Sequence, residues 1–160
     1  KDGYHRAGGM PSAGFAAGPC LFKDTMQLMA FNQNNFNLGI NAMLTNEGLV
    51  LYLVKQLSLK YDLSKKNVGI LGMAFKSECD DIRSSLSYKL KKNLSKMCKN
   101  VFCSDPYVTQ DKSLHDLKFT IKKSDILIIG SPHKIYKKLN YKNKKVIDIW
   151  GLTNINNSKI

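Results

Sequence analysis

The chain has 160 residues, 43% of them hydrophobic, and a formal net charge of +13. That hydrophobic share excludes a disordered chain and suffices for one medium domain, or a small domain with a helical segment attached. The charge invites a nucleic-acid partner, but the lysines are scattered, the only arginines are Arg6 and Arg83, and no nucleic-acid motif occurs, so a solvated lysine-rich surface is the expectation.

Charge is unevenly distributed along the chain. Residues 1–64 carry 5 Lys or Arg against 4 Asp or Glu, whereas residues 65–160 carry 20 against 8. This places a boundary near Ser64-Lys65-Lys66, between a helical part (1–64) and an α/β part (65–160). Lys1–Pro19 is rich in Gly and Ala and reads as a loop able to approach a ligand closely. Beyond it, Met26, Leu28, Met29 and Phe31 predict a short helix over about 25–31, with Asp24 or Thr25 as its N-cap. The polar run Asn32–Asn35 interrupts the pattern, and one long helix is predicted from about 36 to 61. Every residue from 49 to 54 is apolar or aromatic, which predicts cover on more than one side, from a domain core or another subunit.

From Lys66 the texture alternates between strand and helix. Strands are predicted at 67–72, 101–103, 125–130 and 145–149, with helical segments near 83–97, 112–122 and 133–138. Short apolar strands separated by helices predict an α/β domain built on a parallel sheet. No apolar run is long enough to cross a bilayer. Cys20, Cys79, Cys98 and Cys103 form no Cys-x-x-Cys and no zinc spacing with histidine, so no metal site is expected and cytosolic free thiols are the default.

Two stretches carry chemistry. In Gly14-Phe15-Ala16-Ala17-Gly18-Pro19-Cys20-Leu21-Phe22-Lys23-Asp24-Thr25, a cysteine lies just ahead of a helix N-terminus and three residues from Lys23. Such a field favours a thiolate nucleophile; a buried structural cysteine is the alternative. The second stretch, Gly69-Ile70-Leu71-Gly72-Met73-Ala74-Phe75-Lys76 followed by Asp80-Asp81-Ile82-Arg83-Ser84-Ser85, has strand-then-glycine character. It lacks the middle glycine of G-x-G-x-x-G, so a dinucleotide site is weakly supported, while a mononucleotide or diphosphate at the strand's carboxyl end is reasonable. Asp105-Pro106 is expected to order a turn, Trp150 to be partly buried, and His133 to lie on the strand-end side without an assigned role.

Gly-Pro-Cys-Leu-Phe-Lys-Asp-Thr resembles the catalytic-cysteine motif of the UDP-glucose/GDP-mannose dehydrogenase family. The Ala-Phe-Lys and Asp-x-Arg-x-Ser strings resemble that family's signature in its nucleotide-binding domain, in the matching order and separation. The resemblance implies a C-terminal part of such an enzyme: a long central helix that dimerises, followed by a Rossmann-like UDP-binding domain. The parent would be an NAD-dependent 6-dehydrogenase of a UDP-sugar, closest to the UDP-N-acetylhexosamine branch, with the NAD held mainly by a domain outside this chain.

Residue by residue, the resemblance implies Cys20 as the covalent nucleophile and Asp24 as a group positioning the hydrolytic water. Lys23 would favour the thiolate or support the loop. Phe75 and Lys76 would contact the UDP-sugar, Arg6 its phosphate or sugar, and Arg83 would reach the NAD, with Asp81 bracing Arg83 or capping the helix. A non-catalytic nucleotide-binding and dimerisation module is the alternative.

Overall fold

The computed structural model describes residues 13–141 and 143–153. The order of elements is α1 (Leu21–Phe31), α2 (Asn37–Lys60), a single 3-10 turn (Leu63–Lys65), β1 (Asn67–Leu71), α3 (Leu86–Leu94), β2 (Asn100–Ser104), α4 (Leu117–Lys123), β3 (Ile126–Ile129), α5 (Lys134–Lys137) and β4 (Lys145–Asp148). The strands form one four-stranded sheet in the order β2-β1-β3-β4, and every pairing is parallel.

α1 begins four residues earlier than the sequence predicts. Gly18, at φ +130°, reverses the chain, Pro19 follows, and Cys20 is the N-cap, with the Asp24 amide donating to the Cys20 carbonyl at 2.8 Å. Asp24 therefore lies in the first turn, where a carboxylate faces the positive end of the helix dipole, rather than at the cap. The helix ends where Gln33 and Asn34 turn left-handed, at φ 50° and 63°. No residue of α1 is buried; it packs against α2 and leaves Leu21, Phe22, Leu28 and Phe31 exposed.

α2 buries one stripe, Val50, Leu53, Val54 and Leu57, at the i, i+3, i+4, i+7 spacing of a single helix face. Within the chain, cover among the described residues comes from one side only: Leu51 is 60% exposed and Tyr52 53% exposed, which leaves another subunit as the source of the second cover the sequence predicts. The stripe packs on one face of the sheet with Leu86, Leu90 and Leu94 of α3, against Val68, Ile70, Ile126, Ile128 and Ile147. The alternate strand residues Leu71, Leu127, Ile129 and Val146 face the other way and meet Tyr136 and Tyr141, with Leu117 and Ile121 of α4 alongside. Burial on both faces explains why β1, β3 and β4 read as continuous apolar runs.

β1 is followed in sequence by its neighbour on one side, β2, and then by its neighbour on the other, β3. The gap between the carboxyl ends of β1 and β3 is thus the topological switch point, where open α/β sheets leave a crevice. The chain closes this gap tightly. Gly72, at φ +96°, lies so near Ser131 that a Cβ there would come within 2.6 Å of that residue's backbone nitrogen.

Candidate functional site

The long connection from β1 to α3 carries Phe75, Lys76, Asp81 and Arg83, and hydrogen bonds fix it at several points. The Phe75 amide donates to the Asp81 carbonyl at 2.9 Å, closing residues 76–80 into a projecting loop. Asp81 braces Arg83: its carboxylate accepts from the Arg83 amide, Nε and Nη2 at 2.8–3.1 Å. Hydrogen bonding to Arg83 holds the Asp81 carboxyl below the usual carboxylate range. Capping of α3 falls instead to Ser85, whose side chain accepts from the Ser87 amide. Among the described residues Nη1 of Arg83 donates to no group, which leaves a mostly exposed donor for an anion.

The Cys20 loop meets this connection directly. A Cβ on Gly18 would stand 3.1 Å from Cε2 of Phe75, so the absence of a side chain lets the loop lie on that ring. Gly14 lies against Trp150 in the same way, and the Phe15 ring meets the indole edge-on at 6.5 Å. Asn46 of α2 holds the loop from behind, accepting from the Ala16 amide at 3.0 Å and donating to the Ala16 carbonyl at 2.5 Å.

The result is a cleft of about 280 Å³ lined by Phe15, Ala16, Ala17, Leu21, Phe75, Lys76, Ser77, Pro132 and Trp150. The Lys76 ammonium lies 5.5 Å from the centroid of the Phe75 ring, at the range of a cation–π contact. The indole N–H of Trp150, buried beside this cleft, has no hydrogen-bond partner among the described residues.

Cys20 is exposed and adjoins Leu21 on the cleft wall. It lies within electrostatic reach of Arg83. The guanidinium is held more firmly protonated first by its hydrogen bond to Asp81, then by the Asp81 charge, and to a lesser degree by the charge of Cys20. By contrast, burial pushes the Cys103 thiol up to about 12 and the Cys98 thiol up to about 11. Cys103 is buried and Cys98 half-buried, and all four cysteines are free thiols.

The structure thus brings Cys20, Phe75, Lys76 and Arg83 together. Lys23 and Asp24 stand in the first turn of α1, both exposed, and their side chains pair with each other at 3.4 Å. Arg6 lies outside the described residues.

Sequence reasoning missed three contributors. Asn46 carries no local signal, being one polar residue on a helix. Asp105 orders its own turn as expected, with Oδ1 accepting from the Tyr107 and Val108 amides. Its other oxygen, however, reaches the β1 loop and accepts from the amides of Met73 at 2.6 Å and Ala74 at 3.0 Å. Those are the donors that would cradle a dinucleotide diphosphate in a Rossmann site, and a protein carboxylate occupies them. Burial opposes the Asp105 charge, but hydrogen bonds from His133 and from the Ala74, Tyr107 and Met73 amides outweigh it and hold the carboxyl below its usual range. The third is His133, fully buried with Nε2 3.0 Å from Asp105.

The model of the UDP-glucose/GDP-mannose dehydrogenase family, UDP binding domain, matches residues 69–155. The chain belongs to this family. Among relatives, a UDP-N-acetyl-D-mannosamine dehydrogenase from Pyrococcus horikoshii is 28% identical over 134 residues, covering 79% of this chain and 31% of the relative. A putative UDP-glucose 6-dehydrogenase from Bacillus subtilis is also 28% identical, over 149 residues, 86% of this chain and 34% of the relative.

The family fold extends across most of the chain. The solved UDP-D-ManNAc dehydrogenase of Pyrococcus horikoshii superposes with a TM-score of 0.77 at 25% identity, over 91% of this chain and 37% of that one. A UDP-glucose dehydrogenase from Pyrobaculum islandicum gives the same TM-score and identity over 88% and 35%. The chain spans about a third of the length of the curated relatives it matches. Among the described residues no helix is long and apolar enough to cross a membrane.

Proposed function

We propose that these residues form the nucleotide-gripping part of an NAD-dependent dehydrogenase, acting in a reducing compartment, that oxidises the C6 hydroxyl of a UDP-hexose or UDP-N-acetylhexosamine to the uronic acid. The observation that carries this reading is the contact of Gly18, in the Cys20 loop, with the Phe75 ring, which makes the two motif stretches opposite walls of one cleft. Family membership supports UDP as the ligand. Phe75 and Trp150 offer flat apolar surface and Lys76 a cation.

NAD⁺, when bound, supplies the hydride acceptor. Among the described residues the β1 loop does not fit its diphosphate, because Asp105 holds the Met73 and Ala74 amides. Arg83, with its side chain mostly exposed and Nη1 unpaired among the described residues, fits a contribution to a cofactor carried elsewhere.

Conversion of the C6 hydroxyl to the acid removes two hydrides, each of which one NAD⁺ would take. Loss of the first, with the hydroxyl proton, leaves the C6 aldehyde. Cys20 acts on this aldehyde, which has no easily lost hydride until a nucleophile adds. Its thiolate sulfur bonds to the aldehyde carbon, giving a thiohemiacetal. Loss of hydride from that carbon leaves a thioester, and water then releases the acid and returns the thiol. The Arg83 cation lies within electrostatic reach of Cys20, and Asp24 on the first turn of α1 positions the water. The unpartnered apolar face of α1 and α2, with Phe31 89% and Leu38 82% exposed, supports a homodimer through these helices.

The decisive experiment uses the intact protein with NAD⁺ and a panel of UDP-sugars. NADH formation is expected with one of them, and Cys20→Ser should abolish turnover while leaving UDP binding intact. No NADH from any UDP- or GDP-sugar, in a protein that still binds UDP, would reduce the chain to a non-catalytic binding module.

A further inference from the structure

His133 stands at the end of β3 with no exposed surface, one residue before α5. Its two ring nitrogens have different partners. Nδ1 accepts from the Glu78 amide at 2.9 Å, a hydrogen bond that requires Nδ1 to be unprotonated. Nε2 then carries the proton and donates it to Asp105 Oδ2 at 3.0 Å. Oδ2 is the same oxygen that accepts from the Met73 and Ala74 amides. The segment from Met73 to Glu78, which presents Phe75 and Lys76 to the cleft, is therefore tied at both ends to one buried imidazole–carboxylate pair.

Glu78 independently indicates that the tie has a structural cost. It is not glycine, yet its φ is +54°, a left-handed conformation that persists only where surroundings enforce it. The neighbouring contacts do so. The Glu78 carboxylate accepts from the Lys134 amide and the Tyr107 hydroxyl, both at 2.9 Å, and the Tyr107 ring lies 4.8 Å from the imidazole. These bonds clamp the side chain, while the main chain of Glu78 is aimed at His133 Nδ1.

We propose that His133 is a positioning residue for nucleotide binding, acting through acceptance of the Glu78 N–H at Nδ1 to set the Met73–Glu78 loop and with it Phe75 and Lys76. The proposal rests on the reading of those two residues as the UDP grip. His133 does not touch the cleft; it acts through the loop.

Three variants of the intact protein separate the two bonds. In His133→Asn the amide oxygen replaces Nδ1 as acceptor for Glu78, while donation to Asp105 is lost. In His133→Gln the amide nitrogen replaces Nε2 as donor to Asp105, while the bond to Glu78 is lost. His133→Phe removes both. UDP binding is read by isothermal titration calorimetry, and amide hydrogen exchange is read at Glu78.

The Phe and Gln variants are expected to bind UDP about tenfold more weakly and to exchange the Glu78 amide faster, with Asn close to wild type on both measures. If turnover is present, KM for the sugar nucleotide should rise while kcat holds, since Cys20 is untouched. A folded Phe variant with wild-type affinity and exchange would overturn the proposal, and so would rescue by Gln but not by Asn. Should the Phe variant fail to fold, the Asn and Gln pair decides alone. A wild type that binds no UDP sinks the functional reading, whereas the order of Glu78 exchange across the variants still decides whether His133 sets the loop.

Discussion

Replacing Gly72 with alanine tests how tightly the end of β1 is closed onto β3, the closure from which the candidate loop departs. An added Cβ would lie 2.6 Å from both Cβ and the backbone nitrogen of Ser131, and 2.9 Å from its Cα. Two of those atoms are main chain, so a rotamer change cannot relieve the overlap. A left-handed non-glycine residue costs about 1–3 kcal/mol. Forcing a methyl group into a closed contact adds about 1–3 kcal/mol. The sum, roughly 2–6 kcal/mol, corresponds to a fall in Tm of roughly 5–20 °C for a chain of this size. Gly48→Ala is the internal control: it lies inside α2, its Cβ would meet no atom within 4 Å, and relief of glycine's backbone entropy should stabilise by about 0.5–1 kcal/mol. Thermal unfolding followed by circular dichroism measures both. A Gly72→Ala protein within about 0.5 kcal/mol of wild type, the ordinary range of surface substitutions, would show that the β3 end yields and that the closure does not fix the loop.

Three further outcomes are expected. Limited alkylation with iodoacetamide, mapped by mass spectrometry, should modify exposed Cys20 well before Cys98 and Cys103, whose thiols burial holds at about 11 and about 12; equal labelling in the folded protein would remove Cys20 as the nucleophile. Phe75→Ala should weaken UDP binding, read by isothermal titration calorimetry, by roughly tenfold through loss of one aromatic wall, and unchanged affinity would place the nucleotide elsewhere. Asp105 supplies a pH dependence with a definite sign. Its folded-state carboxyl is held below the unfolded value, so its stabilisation is complete above about pH 4 and is lost as pH falls through the folded value. Denaturant unfolding at a series of acidic pH values should therefore show a shallower acid limb in Asp105→Asn than in wild type; identical limbs would mean that the hydrogen bonds to this carboxylate do not favour its charge.

The sheet was legible because each strand is short, apolar and bounded by polar or glycine residues, and Ile126–Ile129 is buried at every position. The long helix was legible from its stripe, while the all-apolar run 49–54 did not say which residues the sheet covers: Leu51 and Tyr52 are the exposed ones. α1 was placed too late because Asp24 and Thr25 have the side chains of good N-caps. The turn at Gly18-Pro19 determines the start instead, and Cys20 caps without a side-chain hydrogen bond. Of the site, the motif residues were readable and the ties between them were not. His133 bonds to residues 28 and 55 positions away, and Asn46 to one 30 positions away, so only the folded chain brings these partners together. Strand order is likewise a tertiary property: nothing local tells β3 to pair with the free side of β1.

That strand order bears on where a nucleotide can lie. An open α/β sheet offers its crevice at the switch point, and amides of the loop after the first strand usually supply the phosphate contacts there. Here those amides point at Asp105, whose carboxylate would repel a diphosphate as well as displace it. The same carboxylate, with His133, fixes the loop so that Phe75 and Lys76 project away from the sheet towards the Cys20 loop. An acidic residue at the end of the second strand, placed where a Rossmann site would hold a ribose, has become part of the framework. On the proposed reading, the nucleotide is therefore gripped from outside the sheet, between Phe75 and Lys76 on one side and the Phe15–Leu21 segment on the other. On the same reading, Cys20 belongs to a segment that lines the cleft from Phe15 to Leu21, on the side of the β1 loop away from the switch point that Asp105 occupies.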